Sequence, residues 1–212
     1  MQNTFKKTLL ATAAAALIAG TAHADIKVGV ILGFTGPIES LTPTMADSAE
    51  LAFAEISNSG LLLGGESITS VRADSTCVDS SAATAAAERL VNSDNVVAIM
   101  GADCSGVTGA IAKNVGAPNG VAMISPSATS PGLSNIEDNG VFFRTAPSDA
   151  RQGVVLADIV MARGIDTVAV TYTNNDYGKG LADAFATAYR AVGALSLLKL
   201  LTKMAKQITL QK

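Results

Sequence analysis

The chain has 212 residues, with 15 basic and 18 acidic residues, one histidine and two cysteines. An acidic chain without clustered lysines or arginines argues against a nucleic-acid partner, because phosphate binding needs a concentrated basic surface. One histidine and two cysteines also argue against a His-dependent hydrolase and an ordinary structural zinc site, and no feature of the composition calls for a cofactor.

The first 24 residues have the pattern of a secretory signal peptide. Two lysines precede an uninterrupted run of apolar or small residues at 8–19, and Ala22-His23-Ala24 offers a small-x-small cleavage pattern before Asp25. The run is too short to span a bilayer as a permanent helix; the alternative is a buried N-terminal helix. Cleavage after residue 24 would remove the only histidine and both leader lysines, leaving a net charge of −5. We therefore expect a periplasmic, exported protein with no catalytic histidine.

From residue 26 onward, short apolar runs alternate with amphipathic stretches. We predict strands at 26–33, 67–73, 96–101, 121–125, 141–144 and 167–172, and helices at 43–57, 79–90, 108–115, 149–163 and 180–192. Apolar strands that alternate with helices are typical of a parallel sheet covered on both faces. The predicted fold class is α/β: a doubly wound parallel-sheet lobe at 25–146 and an incomplete second α/β lobe at 147–193.

The two cysteines follow neighbouring predicted strands. Cys77 comes after the second strand and Cys104 after the third, so both fall at the carboxyl edge of a parallel sheet. In an exported chain, such a pair favours a disulfide. The alternative is two free, buried thiols.

The segment Asp103-Cys104-Ser105-Gly106 lies where a strand turns into a helix. The Ser105 hydroxyl and the backbone N–H groups that follow would form an anion site suited to a carboxylate. A nucleophile elbow needs Gly-x-Ser-x-Gly, and Asp103 stands at the first glycine position. The simpler alternative is that Ser105 only caps the helix. The Ser/Pro-rich loop at 124–131 ends the fourth strand at the same edge, but such loops are usually just turns.

Several short motifs, in this order, resemble the leucine/isoleucine/valine-type periplasmic substrate-binding proteins of ABC transporters, which have the type I periplasmic-binding fold. The resemblance runs from Ile26 to about Gly193. It is carried by Ile26-Lys27-Val28-Gly29-Val30 with Thr35-Gly36-Pro37, Cys77 with Cys104-Ser105, Ile124-Ser125-Pro126-Ser127-Ala128-Thr129, Phe143-Arg144-Thr145-Ala146 and Asp176-Tyr177-Gly178-Lys179-Gly180.

The resemblance implies ligand-binding roles for four residues of the first lobe. Ser105 resembles the family serine that grips a ligand carboxylate through its hydroxyl and backbone N–H. Ser127, Ala128 and Thr129 match the loop whose backbone carbonyl and hydroxyl meet the ligand's ammonium and carboxylate.

Three further ligand-binding candidates lie elsewhere in the chain. Tyr177 resembles the second-lobe tyrosine that closes over the ligand, and Asp149 corresponds to a cleft aspartate near the crossing point at 146–147. Leu41 falls where branched-chain binders carry an aromatic ring beside the ligand side chain. This departure puts a branched-chain substrate in doubt.

The resemblance implies a non-enzymatic, monomeric solute-binding component of an ABC importer. It would capture an amino acid or similar small zwitterion by hinge closure and present it to a membrane permease. The alternatives are a ligand-sensing module of a receptor on the same fold, and a secreted serine hydrolase that lacks an activating base.

Residues 194–212 differ from the rest of the chain. They are rich in leucine and lysine and contain no acidic residue. Codons for residues 199–212, read two bases later, can spell the segment with which family members continue, so we predict a frameshift near Gly193 or Ala194. The alternative is a basic amphipathic helix. We expect the 212-residue chain to bind its solute poorly, because a clamp needs groups from both lobes.

Overall fold

A computed structural model describes residues 25–62, 65–194 and 196–202. The predicted signal peptide at 1–24, and residues 203–212 of the predicted out-of-frame tail, lie outside the described residues. Within the described ranges, no helix has the length and apolar character needed to cross a membrane.

The described chain alternates strands and helices in the predicted order. The strands are β1 (Ile26–Leu32), β2 (Ile68–Asp74), β3 (Ala98–Gly101), β4 (Ala122–Ser125), β5 (Phe142–Arg144), β6 (Thr167–Thr173) and β7 (Ser196–Thr202). The helices are α1 (Thr42–Ser59), α2 (Ser80–Asn92), α3, α4 (Asp149–Ala162) and α5 (Asp176–Ala191). Helix α3 starts as Ser105–Ile111 and continues through a π-helical segment, Ala112–Gly116, to a last turn, Ala117–Asn119. A 3-10 helix, Pro131–Asn135, follows β4.

The first five strands form one parallel sheet in the order β2-β1-β3-β4-β5. Successive side chains of β1 point to opposite faces, so Ile31 joins a core beneath α2 and α3, whereas Val30 and Leu32 pack beneath α1. Helices on both faces of a parallel sheet confirm the predicted doubly wound lobe.

The second unit has a smaller core of its own. Helices α4 and α5 pack together at Gly153, where an added Cβ would come within 2.6 Å of the α5 backbone. Phe185 and Tyr189 stack with ring centroids 5.2 Å apart, and the buried Tyr189 hydroxyl donates to the Ile165 carbonyl at 2.9 Å. Burial raises the pKa of Tyr189. The aromatic pair therefore anchors α5 over β6.

Strand β7 lies within the predicted out-of-frame tail. It pairs in parallel with β6 over seven residue pairs, from Thr167↔Ser196 to Thr173↔Thr202. The alternative prediction of an amphipathic helix is wrong over 196–202, because extended backbone supplies β6 with main-chain hydrogen-bond partners that a helix would use internally. The pairing does not test the frameshift, which stays a prediction.

Two helices begin three or four residues earlier than predicted. Helix α3 begins at Ser105 instead of residue 108, and α5 begins at Asp176 instead of residue 180. In α5, the Asn175 side chain accepts a hydrogen bond from the Gly178 N–H at 2.8 Å, which caps the first turn. Both predicted motifs, around Ser105 and Tyr177, therefore lie in first helical turns.

Candidate functional site

The carboxyl ends of β1, β2 and β3 are tied together by one buried carboxylate. Both oxygens of Asp103 accept from the Gly33 N–H at 3.1 Å, and Oδ1 also accepts from the Ser75 hydroxyl at 3.1 Å. Asp103 is only 3 % exposed. Three loops at this edge are thereby held in one arrangement, as expected for a buried charge that must be hydrogen-bonded.

A disulfide joins Cys77 and Cys104, with their Cα atoms 5.2 Å apart. The predicted pairing is confirmed, and the alternative of two free thiols is wrong. The bond connects the loop after β2 to the residue that precedes Ser105.

Asp74 organises the loops beside the disulfide. Its carboxylate accepts from the Thr35 hydroxyl at 2.5 Å, the Thr35 N–H at 3.2 Å and the Thr76 N–H at 2.8 Å. Partial burial acts to raise the pKa of Asp74, but the hydrogen bonds from Thr35 and Thr76 outweigh it and hold the pKa below its usual value.

Ser105 is the first residue of α3 and is 3 % exposed. Its Oγ accepts a hydrogen bond from the Ser130 N–H at 3.1 Å. A hydroxyl that accepts one bond can still donate its hydrogen, and the first N–H groups of a helix have no carbonyl partner within the helix. The arrangement can therefore present several donors to an anionic group.

The loop after β4 is anchored through its small side chains. Ser127 donates from its hydroxyl to the Asp103 carbonyl at 2.9 Å, and the N–H of the buried Ala128 donates to Ser125 Oγ at 3.0 Å. Ser125 in turn donates to the Ala102 carbonyl. The loop is thus fixed against the end of β3, next to Ser105.

Thr129 and Asp149 connect the two α/β units. The Thr129 hydroxyl donates to Asp149 Oδ2 at 2.7 Å, and the Asp149 N–H donates to the Thr129 carbonyl at 2.9 Å. Asp149 lies in the first turn of α4, which Ser148 caps, and is 3 % exposed. The Thr129 hydroxyl donates its hydrogen to Asp149, so towards any further group the Thr129 oxygen can only accept a hydrogen bond.

Leu41 and Tyr177 are more exposed than the residues of this hydrogen-bonded group. Leu41, at the start of α1, is 56 % exposed, and Tyr177, in the first turn of α5, is 44 % exposed. Tyr177 lines a separate groove of about 490 Å³ on the second unit. The hydrogen bonds given above include Ser105, Ser127, Ala128, Thr129 and Asp149 but neither of these two. The start of α5 nevertheless lies near α3, since a Cβ added at Gly106 would be 3.6 Å from the Asp176 carboxylate.

A cleft of about 1080 Å³ separates α3 and the 3-10 helix from α5. Ser105 is the one residue of the predicted set that lines it, so the cleft as a whole does not define a solute site. Within this lining, Gly180 approaches Ser130 and Pro131 closely, since a Cβ added at Gly180 would lie 2.8 and 2.9 Å from their side chains. Among the described residues, no grouping of His, Cys, Asp and Glu could hold a metal ion.

Two residues at the site were not among the predicted ligand contacts. Ser130 supplies the N–H that bonds to Ser105, and Arg144 donates to backbone carbonyls of the same loop. Arg144 belongs to the motif Phe143-Arg144-Thr145-Ala146, which the sequence marks only by its family resemblance. Its position as the last residue of a short predicted strand was the one further signal.

Residues 25–198 match the family model described as periplasmic binding protein. The chain is 35 % identical over 189 residues to a Leu/Ile/Val-binding protein of Rhizobium johnstonii, an alignment that covers 88 % of this chain and 50 % of that protein. It is 34 % identical over 197 residues to an amino acid binding protein of Pseudomonas aeruginosa, covering 92 % of this chain and 52 % of that protein. The chain thus spans about half the length of the curated relatives it matches.

A solved structure of similar fold is a leucine binding protein from Thermotoga maritima. Its TM-score is 0.75 at 26 % identity, covering 86 % of this chain and 50 % of that one. A second is a branched-chain amino acid transporter substrate binding protein from Streptococcus pneumoniae, in complex with isoleucine. Its TM-score is 0.72 at 26 % sequence identity, and the match covers 86 % of this chain and 51 % of that one. The match in fold agrees with the match in sequence.

Proposed function

Because the chain belongs to the periplasmic binding protein family, we propose that it contributes to capture of an amino acid or similar small zwitterion for an ABC importer. The observation that carries this proposal is the hydrogen-bonded group of Ser105, Thr129 and Asp149, in which donors and acceptors occupy neighbouring positions. Solute capture of this kind needs no covalent chemistry. The partners would be the solute and a membrane permease, and the protein would act in the periplasm as a monomer.

The solute's carboxylate would bind at the start of α3. The Ser105 hydroxyl hydrogen and the N–H groups of the first turn supply donors, and the positive end of the helix dipole favours an anion. Closure of the two units would shield these bonds from water, and shielded bonds count for more than exposed ones.

The solute's ammonium would bind on the Thr129 side. The Thr129 oxygen retains lone pairs, the neighbouring Asp149 carboxylate supplies negative charge, and the Ser127 carbonyl is a further acceptor in the same loop. Thr129 and Ser130 are consecutive, and Ser130 N–H meets Ser105, so the two poles lie one residue apart. The ammonium and carboxylate of an α-amino acid are similarly close, attached to one carbon.

The remaining predicted contacts would act when the two units close. Tyr177 would cover the solute from the second unit, residues 147–193, and Leu41 would border its side chain from the first, residues 25–146. Support comes from the position of both residues on loops or first turns rather than from any contact with the Ser105 group. The names of the relatives favour an aliphatic amino acid, and we take L-leucine as the first probe.

Replacing Ser105 with alanine tests the carboxylate site. In a longer chain with the predicted reading frame restored, Ser105→Ala should weaken L-leucine binding by about 1–3 kcal/mol, because a hydrogen bond to a charged group is lost. Isothermal titration calorimetry measures the affinity. Ser81→Ala, on the exposed first turn of α2, is the matched control and should leave it unchanged.

The folding of the Ser105 variant must be checked in parallel. A thermal melt like that of the wild type, together with unaltered affinity, would show that the Ser105 hydroxyl does not bind the solute and would remove the main support for the proposal. The alternative that Ser105 caps α3 is already wrong, because the N-cap residue is Cys104. A panel with leucine, alanine, glutamate and acetamide would show whether both charged groups of the solute are needed.

A further inference from the structure

The guanidinium group of Arg144 donates hydrogen bonds to three residues that follow β4. Arg144 Nη1 donates to the Ala128 carbonyl at 3.2 Å and to the Ser130 carbonyl at 2.8 Å, and Nη2 donates to Ser134 Oγ at 2.5 Å. The two hydrogens on Nη1 match the two carbonyls. The planar arrangement of N–H groups in arginine suits such a set of acceptors, whereas lysine has one compact ammonium group.

The position of Arg144 is itself fixed by the sheet. Arg144 is the last residue of β5 and lies opposite Ser125 in the parallel register of β4 and β5. Ser125 is where the loop begins, and the Thr145 N–H donates to its carbonyl at 3.0 Å. The Arg144 side chain therefore reaches the loop from the end of a paired strand.

The contacts of Arg144 orient backbone groups at both the carboxylate side and the ammonium side of the proposed solute site. With the Ala128 and Ser130 carbonyls directed to Arg144, the carbonyl between them, that of Thr129, is free to accept from the Asp149 N–H at 2.9 Å. The Ser130 N–H is then directed to Ser105. Each of the two poles thus depends on a loop geometry that Arg144 holds.

We propose that Arg144 is the positioning residue that holds the 127–130 segment in its solute-binding geometry, without touching the solute. The proposal deepens the solute-capture function proposed above and rests on it. A loop held in place before binding loses less conformational freedom when the solute arrives, so removing Arg144 lowers the fraction of molecules competent to bind. The association rate should fall more than the dissociation rate rises.

The test uses residues 25–212 with Arg144→Lys, which keeps the charge but not the planar donor set. Arg163→Lys, on an exposed arginine at the end of α4, is the matched control. Amide hydrogen exchange is followed by NMR in the absence of solute. We expect the Ala128 and Ser130 amides to exchange roughly tenfold faster or more in Arg144→Lys, with amides of β1 unchanged. Ser134→Ala, which removes one of the three acceptors, should have a smaller effect in the same direction.

A purely structural arginine gives a different result. If Arg144 only stabilises the fold, the β1 amides will accelerate together with the loop amides, and that outcome would overturn the proposal. Unchanged exchange at Ala128 and Ser130 would overturn it as well.

A second readout is an L-leucine titration of the same variants made in a longer chain with the predicted reading frame restored, followed at the Ser105 and Thr129 amides. Arg144→Lys should shift the titration midpoint to roughly tenfold higher L-leucine, whereas Arg163→Lys should not move it. A loosened loop with an unshifted midpoint would refute the positioning role. If even the wild type shows no response to L-leucine at these amides, the proposed solute class fails, and the exchange result alone decides what Arg144 does.

Discussion

At the scale of single residues, the polar groups of the sheet edge act mainly on one another. Asp103, Asp74 and Arg144 each hold two or more loop groups, and Ser105 and Thr129 are oriented by neighbours. Sequence analysis identified Ser105 because a strand that turns directly into a helix exposes its first hydroxyl. It did not identify Arg144 as a contact residue, because the bond joins β5 to a loop residue 14 positions earlier and leaves no periodic trace.

Asp74 provides a pH-dependent test at this scale. Its pKa is lowered in the folded protein, so its contribution to stability is present above the unfolded value of about 3.9 and is lost as pH falls through the folded pKa. Asp74→Asn should therefore reduce the free energy of unfolding by about 1 kcal/mol at neutral pH, and the difference from wild type should shrink well below pH 4. Urea unfolding of both proteins at neutral pH and at a pH well below 4 measures the two free energies.

The control for Asp74 is Asp158→Asn, on an exposed position of α4. It should change the free energy of unfolding little at either pH. A difference between wild type and Asp74→Asn that is the same at both pH values would mean that the carboxylate charge does not matter to these loops.

At the scale of secondary-structure elements, β5 shows how unevenly the first sheet is covered. Phe142 packs against the core beneath α2 and α3, whereas its neighbour Phe143 is 57 % exposed on the other face. Ile124 of β4 is 45 % exposed on that side, because α1 packs over β1 and β2. Apolar residues on both faces correctly predicted a two-sided sheet, but the pattern could not show that the described residues cover one face only in part.

The two neighbouring phenylalanines give a paired test of this packing. Phe142→Ala should lower the free energy of unfolding by about 2–4 kcal/mol, since it removes an aromatic ring from a packed core. Phe143→Ala should cost less than about 1 kcal/mol, since its ring is already largely in water. Urea unfolding of residues 25–212 compares them. Equal losses would indicate that something covers the outer face of β5 in solution.

The start of α5 shows tertiary packing overriding local propensity. The helix begins at Asp176, four residues before the predicted residue 180, and its first turns contain Gly178 and Gly180, although glycine is a poor helix former. In the fold, both glycines lie where another segment comes close. A Cβ added at Gly178 would lie 2.3 Å from Thr173 Oγ1, and one added at Gly180 would lie 2.8 Å from Ser130 Oγ. Tertiary packing and the Asn175 cap therefore start α5 at Asp176.

At the scale of the whole molecule, the fold class and the order of elements could be predicted because periodicity and apolar strands determine them locally. The disulfide could be predicted from compartment and edge position. The way the two units face each other could not be predicted, because no local pattern encodes it. The proposed clamp therefore depends most on what the second unit adds.

The measurement that tests the central claim most directly compares the L-leucine affinity of two proteins. One is residues 25–212, and the other is a longer chain with the predicted reading frame restored. Groups from one unit alone would bind in contact with water, where polar contacts contribute little net affinity, so the 212-residue product should bind weakly, at about millimolar concentrations or above. The longer chain should bind at least roughly a hundredfold tighter, because closure removes water from the carboxylate and ammonium sites. Equal affinity of the two proteins, or no binding by the longer one, would contradict capture between two units at the Ser105 and Thr129 edge.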